Sequence, residues 1–496
     1  MLMTATHGPD VAVTMTRVVR TAATRVRSRV EPLHLAAVGV AGLVLGATVK
    51  PLSETDLFWH VPLGQQILHS HHVLGAGANW TIKPGTGGWV SSEWLGEVAL
   101  ALTRNHFGWH AILWLRLIFA ALLVGSSLAL VLRTSTARVA VVTMAAIGIP
   151  LASGIQERPQ LLSLLLLCPT AVWAHRILTT GRFPSLWLTA PLVFGWAQVH
   201  SLWLVLPAAL ALAAACRTLD LGRAGLRTLR PAALHVCALL VAGSLTPIGP
   251  RALLLPVTLH SATSRIAEWQ PSSPLDTMSW GLMLLTALMV MAWSRHGRGR
   301  VPTSEIAFTG AMVLFGLMAY RNLLPALLLL VPLVTTRLSQ MRWARASRVT
   351  ASESRVLRLG CIAALIGGLA VSAARTAASA TFADSVPIAI AHTLAAEPGE
   401  HRVLNAYNAS GALVAFGGPQ LRLAVDGRAD RWGSAYLNGY FDALSMKGDW
   451  RAYISTLAAT DAVLASDAPI VGELLRDGWI KQLADHHYVL LKAPTL

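Results

Sequence analysis

Long apolar runs, recurring from residue 33 to residue 374, constrain this chain more than any other feature. A bilayer core is spanned by about 20 apolar residues of helix, fewer where the helix tilts or kinks, and every backbone polar group inside it must be satisfied within the helix. On that rule the runs at 33–49, 111–132, 139–153, 161–174, 186–199, 202–216, 232–246, 280–293, 306–319, 323–334 and 359–374 predict about eleven transmembrane helices. Composition agrees: 54% of the 496 residues are hydrophobic, 13% are charged and the mean hydropathy is +0.55, too apolar for a soluble protein of this size. The net charge of +16 comes mostly from arginines scattered between the runs. They form no continuous basic face, which argues against a nucleic-acid partner. Cys168, Cys216, Cys237 and Cys361 lie in or beside apolar runs without metal-ligand spacing and read as small buried hydrophobes.

Charge orients the runs. Residues 1-32 carry Arg17, Arg20, Arg25, Arg27 and Arg29, and the positive-inside rule holds such a segment in the cytoplasm. Alternating from there, every second connection is basic, from Arg133 and Arg138 to the six arginines between Arg337 and Arg358. The other connections hold Glu54, Asp56, Glu93, Glu97, Glu157, Glu268 and Asp276 with only a few cations. A missed span would invert every later loop and spoil this segregation. The expectation is a multi-pass protein of the plasma (inner) membrane: a transmembrane domain over 33-376, with a large first extracytoplasmic loop over 50-109, and an extracytoplasmic C-terminal domain over 377-496. In that last part apolar residues come in short bursts at 402–404, 421–425, 462–464 and 488–491, separated by helix-compatible stretches, which predicts a small α/β fold.

The first outside loop concentrates residues capable of chemistry. Glu54 and Asp56 follow the first span beside Phe58, Trp59 and His60, where aromatic rings sit at headgroup depth and a carboxylate is partly desolvated, a setting that tunes it toward general-base work. Glu93 and Glu97, spaced i, i+4, fall on one face of an amphipathic stretch over 92–102 that reads as an interfacial helix with a solvated acidic face. Arg158, Arg251, Arg265 and Arg321 present guanidinium forks suited to phosphate oxygens on a face poor in cations. The spacing of His60, His69, His71 and His72 fits no zinc pattern, so no metal site is assigned. No nucleotide-binding glycine loop, dinucleotide fingerprint or serine-hydrolase elbow occurs, and no span carries a central acidic residue of the kind proton-coupled transporters use.

The run Asp56-Leu57-Phe58-Trp59-His60, with Trp80-Thr81, Gly88-Trp89 and Glu93-Trp94-Leu95, resembles the first extracytoplasmic loop of bacterial polytopic proteins of the GT-C glycosyltransferase superfamily. Arg158-Pro159-Gln160, Gln198-Val199-His200-Ser201, Thr246-Pro247, Ala267-Glu268-Trp269-Gln270-Pro271, Arg321-Asn322, the 405–413 segment, Asp426-Gly427-Arg428-Ala429-Asp430 and Trp450 extend the resemblance along almost the whole chain. The resemblance implies a GT-C-like helical fold and transfer of a sugar, of the hexosyltransferase class, from a polyprenyl-phosphate donor to a glycan, lipid or protein acceptor on the outer face. By it Asp56 is the catalytic base with Glu54 as its substitute, and His60, Glu93, Arg158, Arg251, Glu268 and Arg321 are the substrate-binding candidates. Many members carry an Asp-x-Asp pair here, and this chain has Glu54 in the first position. No organic cofactor is implied, and the residues leave open whether a divalent cation is required. The alternative is a non-catalytic membrane protein whose C-terminal domain binds a partner or envelope glycan, with the 426–430 stretch as contact or simply as a tight turn. A transporter ranks third.

Overall fold

The computed structural model describes residues 32–75, 77–83, 89–256, 265–295, 301–345 and 350–494. The basic segment expected over 1-32 lies outside these but for Pro32. Each of the eleven apolar runs falls on one helix: α1 (Pro32–Ala47), α4 (His110–Thr134), α5 (Ala137–Gly154), α6 (Gln160–Thr180), α7 (Leu186–Ala197), α8 (Val205–Leu221), α9 (Arg223–Gly243), α10 (Thr277–Ser294), α11 (Thr303–Met318), α12 (Leu323–Ser339) and α13 (Ala351–Ala378). Between α1 and α4 lie two further helices, α2 (Leu57–Ser70) and α3 (Trp94–Phe107).

Length separates the eleven into two groups. Eight segments are long and apolar enough to cross a membrane: α4, α5, α6, α9, α10, α13, and α8 and α12 with the short turns that precede them. Helices α1, α7 and α11 are apolar but shorter; the 12 residues of α7 rise only about 18 Å at 1.5 Å each. At the centre stands α12, whose continuous Leu and Val run is buried all round. At the periphery α13 has only Ser372 and Thr376 buried and presents Leu359, Ile362, Ile366 and Val371 outward, as a lipid-facing helix would.

After α13 the chain builds a mixed α/β domain. Helix α14 (Ile388–Ala396) leads to β1 (His401–Asn405), α15 (Ser410–Phe416), β2 (Leu421–Leu423), α16 (Ala429–Leu444), α17 (Trp450–Leu457), β3 (Asp461–Ala465), α18 (Pro469–Arg476), β4 (Ile480–Ala484) and β5 (Tyr488–Lys492). The strand order is β2-β1-β3-β5-β4, with β1 parallel to both β2 and β3 and β5 antiparallel to β3 and β4. The four apolar bursts coincide with β1, β2, β3 and β5. The edge strand β4, mostly exposed, gave no such signal.

This domain is stitched to the loop that follows α1. Leu52 donates its N–H to the Thr381 carbonyl at 2.9 Å and accepts from Ala383 at 2.9 Å, and Ile82 donates to the Leu423 carbonyl at 2.9 Å. Gly411 lets α15 approach the start of α2 so closely that a Cβ there would lie 2.1 Å from the Thr55 carbonyl oxygen. The anchoring sets the geometry of what lies between.

Candidate functional site

Residues of the connections that follow α1, α5, α7, α9 and α11, within 55–60, 89–97, 156–160, 200–201, 265–269 and 320–321, line one cavity of about 750 Å3 together with the C-terminal domain. These are every second connection of the eleven-helix array, beginning with the first. The geometry brings together Asp56, His60, Glu93, Arg158, Glu268 and Arg321, residues spread over most of the helical part of the chain. Two expected site residues stand elsewhere. Glu54 is buried behind Arg158 and lines none of the cavity, and Arg251 is exposed on a short turn, 249–254, away from it.

Asp56 occupies the N-cap of α2, yet its carboxylate caps no backbone N–H. One oxygen accepts from Trp59 Nε1 at 3.0 Å and the other meets Arg158 Nη1 at 3.1 Å. Arg158 also holds Glu54 at 2.6 Å and Glu268 at 3.0 Å. Burial opposes its charge, but Asp56, Glu54 and Glu268 hold it more firmly protonated than an ordinary arginine. Glu54 too binds its proton more firmly: burial raises its proton affinity against the pull of Arg158. The turn carrying Arg158 is itself fixed from below, where Arg116 of α4 pairs with Glu157 and donates to the Lys50 carbonyl. Arg321 lies 3.7 Å from Glu268 and stacks 4.3 Å over the Trp269 ring, less committed than Arg158, while Arg265, also in the cavity wall, pairs with Asp442 at 2.7 Å.

The second acidic corner belongs to α3. The expected interfacial helix with solvated acids is corrected here: the helix is Trp94–Phe107, packed against α2, and Glu97 is fully buried. Glycines bring this about. A Cβ at Gly64 would sit 2.1 Å from the Glu97 carbonyl oxygen, and one at Gly96 would sit 2.6 Å from Pro159, so α3 lies directly on α2 and on the Arg158 turn. His60, one turn before Gly64, thereby meets Glu97 at 3.2 Å through Nδ1 and Glu93 at 3.7 Å through Nε2. Ser91 donates to the same Glu97 oxygen at 2.8 Å. From the opposite wall, His200 Nδ1 accepts from the Leu202 N–H at 3.1 Å, which leaves Nε2 to donate to Glu93 at 3.3 Å. Trp94 Nε1 donates to the Gln198 side chain at 2.9 Å and holds these two segments in register.

Burial sets the proton affinities of this corner. Glu93 is pushed up to about 7 by burial and by Glu97, against the pull of His60, Arg321 and Arg158. His200 is held well below the usual histidine value by burial and by Arg321, His60 and Arg158, so its contact with Glu93 is a hydrogen bond from a neutral ring. His60 is raised: burial opposes its charge, but the Glu97 hydrogen bond and the charges of Glu93, Glu97 and Asp56 prevail.

The C-terminal domain closes the cavity. Asn405 brackets the backbone of Val425 with bonds of 2.9 and 3.3 Å, and the loop it holds lays Gly427 against Trp59, where a Cβ would be 2.4 Å from Nε1. Tyr407 donates to the Gly427 carbonyl at 3.0 Å. Arg428 pairs with Asp426, stacks 4.9 Å from both Trp80 and Trp89, and donates to the Gly77 carbonyl at 2.8 Å. Trp89 donates to Asp430 at 3.0 Å. The 426–430 stretch, expected as a partner contact or a turn, is thus a buried internal joint: Asp426 is 0% and Arg428 1% exposed.

Sequence reasoning gave His200 and Tyr407 no individual role, read Trp59 only as an aromatic at headgroup depth and Arg428 only as part of a partner contact or turn, and placed none of the four among the site residues. The polar Gln198–Ser201 island between two apolar runs was the available signal for the first. Among the described residues no group of three or more His, Cys, Asp or Glu side chains is placed to hold a metal ion.

No protein-family model and no curated relative matches the sequence. Among solved structures the chain is similar to the crystal structure of ArnT from Cupriavidus metallidurans in the apo state, at 14% identity and a TM-score of 0.48, over 98% of this chain and 100% of that one.

Proposed function

We propose that the chain is a multi-pass membrane glycosyltransferase that moves a sugar from a polyprenyl-phosphate-linked donor to an acceptor hydroxyl at the extracytoplasmic face, within the cavity that Asp56, Glu93, Arg158 and Arg321 line. The observation that carries the reading is the convergence of alternate connections on one acidic and cationic cavity at one end of the helical array. The opposite end carries the arginine-rich connections, and the positive-inside rule makes that end cytoplasmic. The cavity then opens at the outer headgroup zone, where a lipid-linked sugar presents its phosphate.

The residues suit the chemistry. Arg321, stacked on Trp269, and Arg158, braced by its carboxylates, set fixed positive charge where a departing lipid phosphate gains negative charge. Aromatic rings of Trp59, Trp89, Trp269 and Tyr407 line the same space and offer faces for a sugar. A donor that arrives already activated needs no nucleotide-binding loop, in keeping with the absence of one in the sequence. The alternative of a separate C-terminal binding module gains nothing from the 426–430 stretch, which packs against the first loop and turns toward this same cavity.

The test is transfer of a radiolabelled or mass-detected sugar from polyprenyl-phosphate donors in purified membranes. Wild type transfers, and Asp56→Asn, which takes one of three carboxylates from Arg158 and misorients Trp59, loses about 10²- to 10⁴-fold while inserting normally. Undiminished transfer by Asp56→Asn overturns the reading.

A further inference from the structure

Of the carboxylates that line the cavity, Asp56 and Glu93 stand in different company, and we propose that Glu93, rather than Asp56, takes the proton of the acceptor hydroxyl, with His60 and Glu97 as its positioning residues. The inference rests on the transfer reading above and names the group that performs its proton step.

Geometry separates the two acids. Each oxygen of Asp56 already holds a strong donor, Trp59 Nε1 on one and the Arg158 guanidinium on the other. A proton placed on Asp56 would break the Arg158 pair in a buried setting, and losing one partner of such a pair is costly. Glu93 faces no arginine at contact distance. Its oxygens meet two imidazole Nε2 atoms, at 3.7 Å from His60 and 3.3 Å from His200, and its side chain is 20% exposed, toward the cavity, where that of Glu97 is 0%.

The ring of His60 is fixed by its far side. Ser91 and His60 Nδ1 both converge on one Glu97 oxygen, so Nδ1 carries the proton that Glu97 accepts and Nε2 is presented to Glu93. Glu93 and His60, 3.7 Å apart, are therefore coupled through their charges, as acids that titrate as a pair. The groups facing Glu93 from every packed element are His60 of α2, Glu97 of α3, His200 of the 198–204 connection, Arg158 of the 155–159 turn and Arg321 of the 319–322 turn. Their balance, with burial, places Glu93 at about 7, where a base is effective near neutral pH.

The step balances. The acceptor oxygen forms a bond to the anomeric carbon, and the bond from that carbon to the phosphate oxygen breaks, its electron pair leaving with the lipid phosphate. The acceptor proton goes to the Glu93 carboxylate, which releases it to solvent across its own exposed face in the cavity, while buried His60 holds the carboxylate in place. Charge is conserved, because the base loses the one negative charge that the lipid phosphate gains.

The experiment is the pH profile of kcat/KM for transfer by full-length protein in nanodiscs, from polyprenyl-phosphate sugar to acceptor supplied as an extract of the purified membranes. Wild type shows an acidic limb centred near the Glu93 value of about 7. Glu93→Gln falls about 10²- to 10⁴-fold and loses that limb, whereas Asp56→Asn falls but keeps it. His60→Gln moves the limb to higher pH, because the cation that restrains Glu93 is gone. A second readout is independent of activity: a carboxyl raised in the folded state contributes stability that is lost as pH rises from about 4.5 to about 7. The Tm of Glu93→Gln therefore gains on wild type across that window and holds constant above it. An unaltered limb in Glu93→Gln, a limb lost in Asp56→Asn, or a Tm gap that ignores pH overturns the proposal. Wild type without any transfer overturns instead the reading on which it rests.

Discussion

The two acidic corners of the cavity use the same side-chain chemistry to opposite ends. Around Arg158 three carboxylates, Glu54, Asp56 and Glu268, converge on one guanidinium, and the charges lock one another in place. Around Glu93 two imidazoles stand in for the arginine, and the carboxylate is left free to gain and lose a proton. Arginine stays charged at any physiological pH and histidine does not. A fixed cation makes a scaffold; a titrating one leaves its acid free to act as a base. The difference teaches that a buried acid should be read by its partner before it is given a role.

Breaking the first corner has the largest expected effect on folding. Arg158→Met strands three carboxylates, two of them mostly buried, and should cost about 3–5 kcal/mol at neutral pH. The sign with pH follows from the loss of the cation. Without Arg158 the acids bind protons more readily when folded, so the variant regains stability as pH falls through the carboxylate range. A Tm deficit against wild type that stays constant from about pH 7 to about pH 5 would show that the corner is not held by charge.

A smaller disturbance comes from the joint between the corners and the C-terminal domain. Gly427→Ala places a methyl 2.4 Å from Trp59 Nε1 and 3.0 Å from an Asp56 oxygen. Overpacking of this kind costs about 1–3 kcal/mol and pushes Trp59 off Asp56. Transfer should drop about tenfold, less than in Asp56→Asn, and crosslinking between cysteines placed at the loop and the domain should report the displaced joint. Full activity in Gly427→Ala would mean that the domain does not brace the site.

The ordering of these effects could not have come from the chain alone, although much else could. Apolar runs locate all eleven helices because burial in lipid or core leaves a long uninterrupted signature. They miss the length of α9, whose first residues, Arg223 to Arg230, are basic and belong to the helix without belonging to the run. Strand β4 escapes because an exposed edge needs no apolar alternation. In the site, the acids and arginines of alternate loops were visible as residues. Their convergence was not, because it depends on close approaches at Gly64, Gly96, Gly411 and Gly427 that no periodicity announces. Glu97 shows the cost most plainly: its i, i+4 spacing with Glu93 fits a solvated face as well as a buried pair, and only the neighbouring α2 decides. Arg251 looked like its fellow arginines and lies outside the cavity, since a turn of the chain rather than residue type selects which cations meet the site.

The smallest change sharpens the comparison most. Trp59→Phe removes the N–H that Asp56 accepts at 3.0 Å while a ring remains to stack on His60, whose centroid lies 3.7 Å from that of Trp59. One hydrogen bond to a carboxylate is worth about 1.5–3 kcal/mol, and Arg158 still holds the other oxygen, so transfer should fall about three- to tenfold. If Asp56 is scaffold and Glu93 is base, the acidic limb of the pH profile keeps its midpoint, because no donor to Glu93 has changed. A midpoint displaced upward in Trp59→Phe would identify Asp56 as the titrating group, since stripping a donor from a carboxylate raises its proton affinity.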